Sequence, residues 1–312
     1  MRVNNRSQSA LDRLKRADTP TYPLAMTSAT NFVGVGTTGT EAMLQLFAFV
    51  YAVTGGLPPA NTRWFSIDAD KDSRDPTSLA HQKHVRFLST GKDGAGTVIS
   101  TGYALASIAF PSIRQSILES MAALMNARDD RFAVNLPPAQ NQSLVVLAGS
   151  AGGTSGGTKD LVVTGGILGA GHIGLKRFDV TMATIGGQIP WRDINRSVNA
   201  DGRQRIMANF AESSMWRFGQ MATHCPIEID VPGQRPVRLP AATRIGTSLE
   251  FDWESASNKL QTNEQVVEMM SACLFQRFFT SVGCRRESRQ CDDVNCGRTG
   301  QKHPLFHGVS LV

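Results

Sequence analysis

The chain has 312 residues and a formal net charge of +6, with 41% hydrophobic and 19% charged residues. This composition is typical of a globular protein and excludes wholesale disorder. No stretch approaches the roughly 20 uncharged apolar residues of a membrane span, the N-terminus lacks the apolar core of a secretory signal, and the basic residues are not interleaved with aromatic ones. We therefore expect a cytoplasmic protein with no membrane span, for which nucleic acid is not the expected partner.

Residues 1–28 are predicted to form a polar, basic arm outside the main fold. Its basic residues outnumber Asp12 and Asp18; they are Arg2, Arg6, Arg13, Lys15 and Arg16. Two interpretations stay open. The arm is either a solvated tail or surface helix, as is common at termini, or a segment that docks on a neighbouring subunit.

After the arm, short apolar strands alternate with helices. Asn31 to Val35 is predicted as a strand, and Thr40 to Val53, apolar almost all round, as a helix buried against a sheet. Trp64 to Ile67 is predicted as the second strand, which ends in Asp68 and Asp70.

The same alternation continues through the middle of the chain. Ser100 to Ala127 is predicted as one or two helices, interrupted at Pro111, and Leu144 to Ala148 as a wholly apolar strand. Leu161 to Leu168 is the next predicted helix, and Val180 to Ile185 the next strand. This order predicts an α/β fold, a Rossmann-like parallel sheet with helices on both faces.

The region from about Thr223 onward predicts a small second α/β unit. Ile227 to Val231 and Ser248 to Trp253 are predicted strands. Asn263 to Ser281 has the apolar spacing of an amphipathic helix.

A first glycine-rich turn, residues 34–39 (GVGTTG), lies between the first predicted strand and helix. Glycine lets the backbone approach a phosphate closely, and the following helix presents unpaired N–H groups and the positive end of its dipole. The same pattern occurs in NAD- and FAD-binding domains. It also fits a tight strand-to-helix turn without a ligand.

A second glycine-rich turn, residues 149–158 (GSAGGTSGGT), follows the predicted strand Leu144 to Ala148. Its composition suits a backbone nest for anions, with hydroxyl groups as added donors. A dinucleotide-binding domain needs only one such turn. Two turns after two strands therefore favour a triphosphate held from both sides.

Three segments carry a family resemblance. Residues 151–157 (AGGTSGG) resemble the GGGTGSG signature of tubulins and FtsZ, from which they depart in the first position and in the order of Ser155 and Gly156. Residues 65–70 resemble the strand that ends in Asn-Thr-Asp near the magnesium of FtsZ, and residues 90–96 resemble the loop that meets the γ-phosphate. Together with residues 34–39, these motifs occur in the family's order. The sequence is thus similar to the tubulin/FtsZ superfamily, and within it most similar to divergent bacterial tubulin-like proteins.

The resemblance implies a site for GTP or GDP with Mg²⁺. The implied phosphate contacts are Gly34, Gly36, Thr37, Thr38, Gly39, Ala95, Gly96, Gly152, Gly153, Thr154, Ser155 and Gly156, with Asp68 and Asp70 nearby and with Asn209 and Phe210 at guanine. Asp70 would approach Mg²⁺ through water. Asp68 and Asp70 also fit a polar strand end in solvent, and Asn209 also fits a surface position on a helix.

The resemblance further implies a nucleotide-binding domain at residues 29–202, a long central helix at 203–223 and a reduced C-terminal α/β domain at 224–312. Family members complete the site with an acidic loop from the next subunit, just after the central helix. The expected Asn-x-Asp-x-x-Asp pattern is absent here. Glu228 and Asp230 are the candidate catalytic residues, and they equally fit solvated charges on a strand, so slow turnover and no turnover both stay open.

The C-terminal tail gathers five side chains that zinc prefers: Cys284, Cys291, Cys296, His303 and His307. A Cys₃His site is chemically possible. The tight C-x₂-C pairs of zinc knuckles are missing, so reduced free thiols are the alternative.

The expected function is that of a GTP-binding tubulin-like protein that self-associates head to tail into filaments, with GTP hydrolysis completed at subunit contacts. One alternative is a non-polymerising, nucleotide-dependent interaction module that works with other proteins in a larger complex. Another is a Rossmann-type NAD-dependent or adenylating enzyme. Against the latter, Asp68 lies 29 residues after Gly39, longer than the usual dinucleotide spacing.

Overall fold

The computed structural model describes residues 29–53, 58–69, 83–91, 94–127, 140–150 and 152–185, and after these residues 201, 204, 209, 228–229, 235, 237–238, 243–251, 263–275, 278–279 and 309–311. The predicted arm at residues 1–28 and most of the predicted central helix lie outside the described residues. So do Asp70, Phe210, Asp230 and the five cysteine and histidine residues of the tail.

Nine strands are described in chain order: β1 (Ala29–Val35), β2 (Thr62–Asp68), β3 (Val85–Ser89), β4 (Asn141–Gly149), β5 (Arg177–Ile185), β6 (Glu228–Ile229), β7 (Val237–Arg238), β8 (Thr243–Phe251) and β9 (Val309–Leu311). Seven of them form one sheet in the order β3-β2-β1-β4-β5-β8-β9. All neighbours in this sheet are parallel except β8 and β9, which are antiparallel. The remaining two, β6 and β7, form a separate antiparallel pair.

The order of the strands reverses between β1 and β4. From β1 the chain builds outward through β2 to β3, and then returns to the other side of β1 to add β4, β5 and β8. Val35 pairs in register with Ile67 on one side and with Ala148 on the other, so the carboxyl ends of these strands share one edge. In open parallel sheets, ligands bind outside the carboxyl ends of the strands at such a switch point.

Within the described residues, four helices cover the two faces of the sheet: α1 (Gly36–Val53), α2 (Ile99–Met125), α3 (Gly153–Ile173) and α4 (Asn263–Phe275). Because successive strand residues point to opposite faces, Phe32 joins an apolar core with α1 and α4, and Val33 joins a second core with α2 and α3. The strands are therefore buried on both faces, which explains their continuous apolar runs. The predicted α/β class, with a parallel sheet between two layers of helices, is confirmed.

Two helices begin earlier than the sequence predicts. α1 begins at Gly36 rather than near Thr40, and α3 begins at Gly153 rather than near Leu161. Glycine disfavours helix by about 1 kcal/mol per residue relative to alanine, so the glycine-rich segments look like loops in sequence. Close packing of these glycines against neighbouring backbone outweighs this preference.

The predicted interruption at Pro111 is wrong, because α2 is one helix of 27 residues with Pro111 inside it. An interior proline leaves the carbonyl four residues earlier, that of Ser107, without its helical partner. The ring itself lies on the exposed side of α2, where it displaces no packed neighbour, and the helix continues.

Elements from the predicted C-terminal domain join the main fold. β8 extends the sheet beside β5, and α4 packs on α1, where the Ser271 hydroxyl donates a hydrogen bond of 2.9 Å to the Ala42 carbonyl. β8, β9 and α4, which all follow residue 224, thus belong to the main sheet and to one of its helical layers. Over the part of the chain that the structure describes, no helix combines the length and apolarity needed to cross a membrane.

Candidate functional site

The two predicted glycine-rich turns lie side by side at the switch point. Gly36 follows β1 directly, and Ser155 stands in the first turn of α3, which follows β4. A Cβ atom added to Gly36 would lie 2.9 Å from the Ser155 hydroxyl oxygen and 3.2 Å from its backbone nitrogen. The turns therefore meet at the carboxyl edge of the sheet.

The three glycines of the first turn have different structural roles. Gly36 has a φ of +68°, a left-handed conformation that glycine adopts at little cost. A Cβ atom on Gly34 would lie 2.5 Å from the Gly39 carbonyl oxygen, and one on Gly39 would meet the Leu147 carbonyl group of β4. Gly34 and Gly39 thus permit close packing of strand and helix, and Gly36 is the glycine that faces the junction of the two turns.

The second turn leaves two backbone donors open. Gly152 caps α3 without a side-chain hydrogen bond, the Gly153 N–H donates to the Gly96 carbonyl at 2.7 Å, and the Gly156 N–H donates to Gly152 at 2.9 Å. This leaves the N–H groups of Thr154 and Ser155 without a described backbone partner. They are among the first amides of a helix, which have no partner within it.

Neither helix at the junction has an acidic residue in its first turn. The positive ends of the α1 and α3 dipoles are therefore not neutralised by their own carboxylates. Two helix N-termini with open amides that converge from neighbouring strands form a site suited to an anion.

The glycines of the second turn also serve packing between α2 and α3. Cβ atoms added to Gly153 and Gly157 would collide with backbone of the segment from Val98 to Tyr103, and one added to Gly102 would lie 2.6 Å from the Gly153 carbonyl carbon. The interpretation of this cluster as a phosphate nest alone is therefore incomplete. Much of its glycine content lets two helices approach each other at backbone distance.

A third loop, residues 94–97, is tied to the second turn. Gly96 is exposed, has a φ of +54° and accepts the hydrogen bond from Gly153. Ala95 is buried, and its carbonyl accepts a 3.0 Å hydrogen bond from Val98 N–H. Asn209 donates through Nδ2 to the Thr97 carbonyl at 3.0 Å. The loop predicted to reach a γ-phosphate thus adjoins the junction of the other two turns.

Asn209 and Asp68 are both buried, so the alternatives that placed them in solvent are wrong. Asp68 Oδ1 accepts the Ala69 N–H at 2.7 Å, and Asp68 Oδ2 accepts the Thr37 hydroxyl at 3.2 Å. Asp68 therefore links the end of β2 to the first glycine-rich turn, residues 34–39. No sequence signal pairs Asp68 with Thr37, because the two are 31 residues apart.

A second link of this kind, between α1 and β2, has no sequence signal either. The hydroxyl groups of Thr40 on α1 and Ser66 on β2 share a buried hydrogen bond of 2.8 Å. Both links fix the start of α1 against β2. They hold the first glycine-rich turn in place next to the crevice, by which we mean the region outside the carboxyl ends of β1 and β4 where the two glycine-rich turns meet.

The candidate catalytic residues are not brought to the crevice by any described contact. Glu228 lies on β6 and pairs in register with Arg238 on β7, while Asp230 is outside the described residues. Within the described ranges, no three His, Cys, Asp or Glu residues come together in a way that could hold a metal ion.

These features define the chain as an α/β protein with a doubly wound sheet and a candidate anion site at its switch point. No family model matches the sequence, and no curated protein matches it.

Solved structures match its fold at low identity. A protofilament of CetZ2 with bound GTPγS from Haloferax volcanii matches 80% of this chain and 56% of its own length, at 14% identity and a TM-score of 0.46. A GTPγS-form protofilament of TubZ from Bacillus thuringiensis serovar israelensis matches 86% and 60%, at 12% identity and a TM-score of 0.48. The FtsZ dimer from M. jannaschii matches 92% and 62%, at 13% identity and a TM-score of 0.42. This chain therefore spans less than two thirds of each of these solved chains.

Proposed function

We propose that this chain is a tubulin-like protein that binds GTP and GDP in the crevice between the first and second turns. The observation that carries the proposal is the contact between Gly36 and Ser155 at the switch point of the sheet. Phosphate groups would accept hydrogen bonds from the amides at the start of α1 and from those of Thr154 and Ser155.

A nucleoside triphosphate suits this crevice better than a dinucleotide does. A dinucleotide fold uses one glycine-rich turn at one helix N-terminus. Here two helix N-termini and the loop at residues 94–97 converge, and their backbone amides would donate hydrogen bonds to successive phosphate groups. The choice of guanine rests on the motif resemblance, which assigns Asn209 and Phe210 to the base.

Mg²⁺ would bind near Asp70, with Asp68, the last residue of β2, close by. Both oxygens of Asp68 accept hydrogen bonds, so this carboxylate is held in one orientation at the first turn. Mg²⁺ keeps several waters and uses one or two carboxylates together with substrate phosphates. The bound ion would offset the negative charge that Asp68 places next to a phosphate.

The proposal extends to self-association. Subunits would stack head to tail and form open filaments, with Glu228 or Asp230 of one subunit reaching the nucleotide of the next to orient the attacking water. The predicted division into a nucleotide-binding domain, a central helix and a C-terminal domain belongs to this proposal.

One observation favours the non-polymerising alternative. Glu228 stands on a strand that is paired with β7, whereas an acid that reaches into a neighbouring subunit is expected on a projecting loop. A nucleotide-dependent interaction module would use the same crevice without that contact.

Calorimetric titration of the full chain with GTP, GDP, ATP and NAD in the presence of Mg²⁺ tests the binding proposal. We expect one GTP per chain, with weaker binding of ATP and none of NAD. The variant Thr154→Val, which removes one hydroxyl donor at constant volume, should weaken GTP binding. Its control, Gly171→Ala, lies at the far end of the same helix and should not. No binding of GTP, or a preference for NAD, would contradict the proposal.

Light scattering at high protein concentration separates the two functions. Filament formation predicts a rise on addition of GTP and a decline as GTP is consumed. Constant scattering by a protein that binds GTP in the calorimeter would favour the interaction module.

A further inference from the structure

Lys159 is a buried cation in α3, one helical turn after Ser155. It is only 4% exposed, and among the described residues no carboxylate or other polar group pairs with it. A lysine side chain that is buried to this extent normally has a partner for its charge. The ammonium group of Lys159 is therefore available to a negatively charged ligand.

Helical spacing places Lys159 on the sheet-facing side of α3. Ser155, four residues earlier, contacts the Gly36 position. Gly166, seven residues later, lies where an added Cβ atom would be 2.7 Å from Leu144 of β4 and 3.1 Å from Phe178 of β5. Residues four and seven apart share one face of a helix, so Lys159 lies between these two contacts.

The direction of the side chain follows from helix geometry. Long side chains on a helix run back toward its N-terminus, over the preceding turn. For Lys159 that turn contains Ser155, next to Gly36. On the same face of the sheet, the ends of β4 and β5 offer the small residues Ala148 and Thr184, which pair in register. The ammonium group is thus directed toward the crevice between the two turns.

The other basic residues of the sheet and its helices lie elsewhere. Those near the amino ends of their strands are Arg63, Arg86, Arg177 and Arg244, and Arg114 lies in the middle of α2. Among the described lysines and arginines of these elements, Lys159 is the one placed toward the carboxyl edge, where the amides of α1 and α3 are open.

We propose that Lys159 is a charge partner of the phosphate chain in this crevice, and that it makes the site selective for polyphosphates over monophosphates. This inference rests on the proposed nucleotide site and adds a cation to it. A hydrogen bond from an ammonium group to phosphate is charge-assisted, and it is stronger than a neutral hydrogen bond. Without the anion, the buried charge should lower the stability of the protein.

The test compares Lys159→Met with Lys176→Met, a matched control that removes an exposed charge at the other end of the sheet. Calorimetric titrations use GTP, GMP and inorganic tripolyphosphate on the full chain, and thermal melts are recorded without ligand. We expect Lys159→Met to bind GTP and tripolyphosphate about 10- to 100-fold more weakly, as for other hydrogen bonds to charged groups. The affinity of Lys159→Met for GMP should fall by a smaller factor. Its melting temperature without ligand should be higher than that of the wild type.

Affinities equal to the wild type in Lys159→Met would overturn the inference, as would an equal loss in Lys176→Met. Lys159→Gln, which keeps a polar end without charge, is measured alongside, so that a folding failure of one variant leaves the other informative. A wild-type protein that binds tripolyphosphate in a Lys159-dependent manner but not GTP would support Lys159 and reject the guanine nucleotide. If the wild-type protein binds neither GTP nor tripolyphosphate, the proposed nucleotide site and the role of Lys159 are both overturned.

Discussion

Two glycines of α3, Gly157 and Gly171, are predicted to respond in opposite ways to the same substitution. A Cβ atom on Gly157 would lie 2.5 Å from the Gly102 carbonyl carbon and 2.7 Å from the Ile99 carbonyl oxygen, and it would also meet the Tyr103 nitrogen. A Cβ atom on Gly171 would meet nothing within 4 Å. Backbone atoms of α2 thus occupy the space beside Gly157, whereas the space beside Gly171 is empty.

The magnitudes follow from these distances. Ordinary contact requires about 3.4 Å or more, so Gly157→Ala must move α2 and α3 apart by about 1 Å. Overpacking of this kind costs about 1–3 kcal/mol, and it outweighs the gain of about 0.5–1 kcal/mol from replacing glycine within a helix. Gly171→Ala should gain about 0.5–1 kcal/mol of stability, because its added Cβ atom meets no neighbour that would offset the gain. With an m-value of about 3 kcal/mol/M, the resulting net loss of about 1.2 kcal/mol for Gly157→Ala lowers the urea midpoint by about 0.4 M.

Equilibrium unfolding in urea, followed by circular dichroism, measures both variants against the wild type. We expect a lower midpoint for Gly157→Ala and a slightly higher one for Gly171→Ala. A Gly157→Ala variant as stable as the wild type would refute the close approach of α2 and α3, and with it the packing role assigned to the second glycine cluster.

Three further perturbations test the start of α1 and the edge of the sheet. Gly36→Ala, at a φ of +68° and beside Ser155, should lower the free energy of unfolding by about 1–2 kcal/mol; a urea midpoint equal to that of the wild type would argue against the left-handed turn. Thr37→Val removes the hydroxyl that donates to buried Asp68 and should cost about 1–2 kcal/mol in the same assay; no loss would show that this bond does not hold the turn. Burial, followed by the charge of Lys83, lowers the pKa of His84 below its ordinary value of 6.5. Because the unfolded state then binds the proton more readily, stability should fall as the pH drops through 6.5 toward the lower folded-state pKa; an NMR titration midpoint for His84 at or above 6.5 would contradict this.

The buried strands were the most predictable part of the fold. The predicted strands around Phe32, Phe65, Val146 and Met182 all lie within observed strands, because a strand covered on both faces must be apolar throughout. β3 was missed. It contains Arg86 and several part-exposed residues, as an edge strand in this sheet allows, so no continuous apolar run marks it.

The starts of the helices and the pairing of distant strands were less predictable. Local preference assigns glycine to loops, and only the neighbouring backbone at Leu147 or at Gly102 explains why α1 and α3 begin within the glycine clusters. That β8 pairs with β5 depends on contacts between residues far apart in sequence. The composition of the two glycine-rich turns could be interpreted from the sequence. The hydrogen bonds that position them, such as that from Thr37 to Asp68, could be identified only in the structure.

Amide hydrogen exchange of the full chain, measured with and without GTP and Mg²⁺, tests most directly whether phosphate groups bind between the two turns. We expect slower exchange in the peptides that contain residues 36–39 and 153–156 when GTP is present, and little change at β6 and β7. Exchange that is unaltered in both turns, or slowed only elsewhere in the chain, would contradict it.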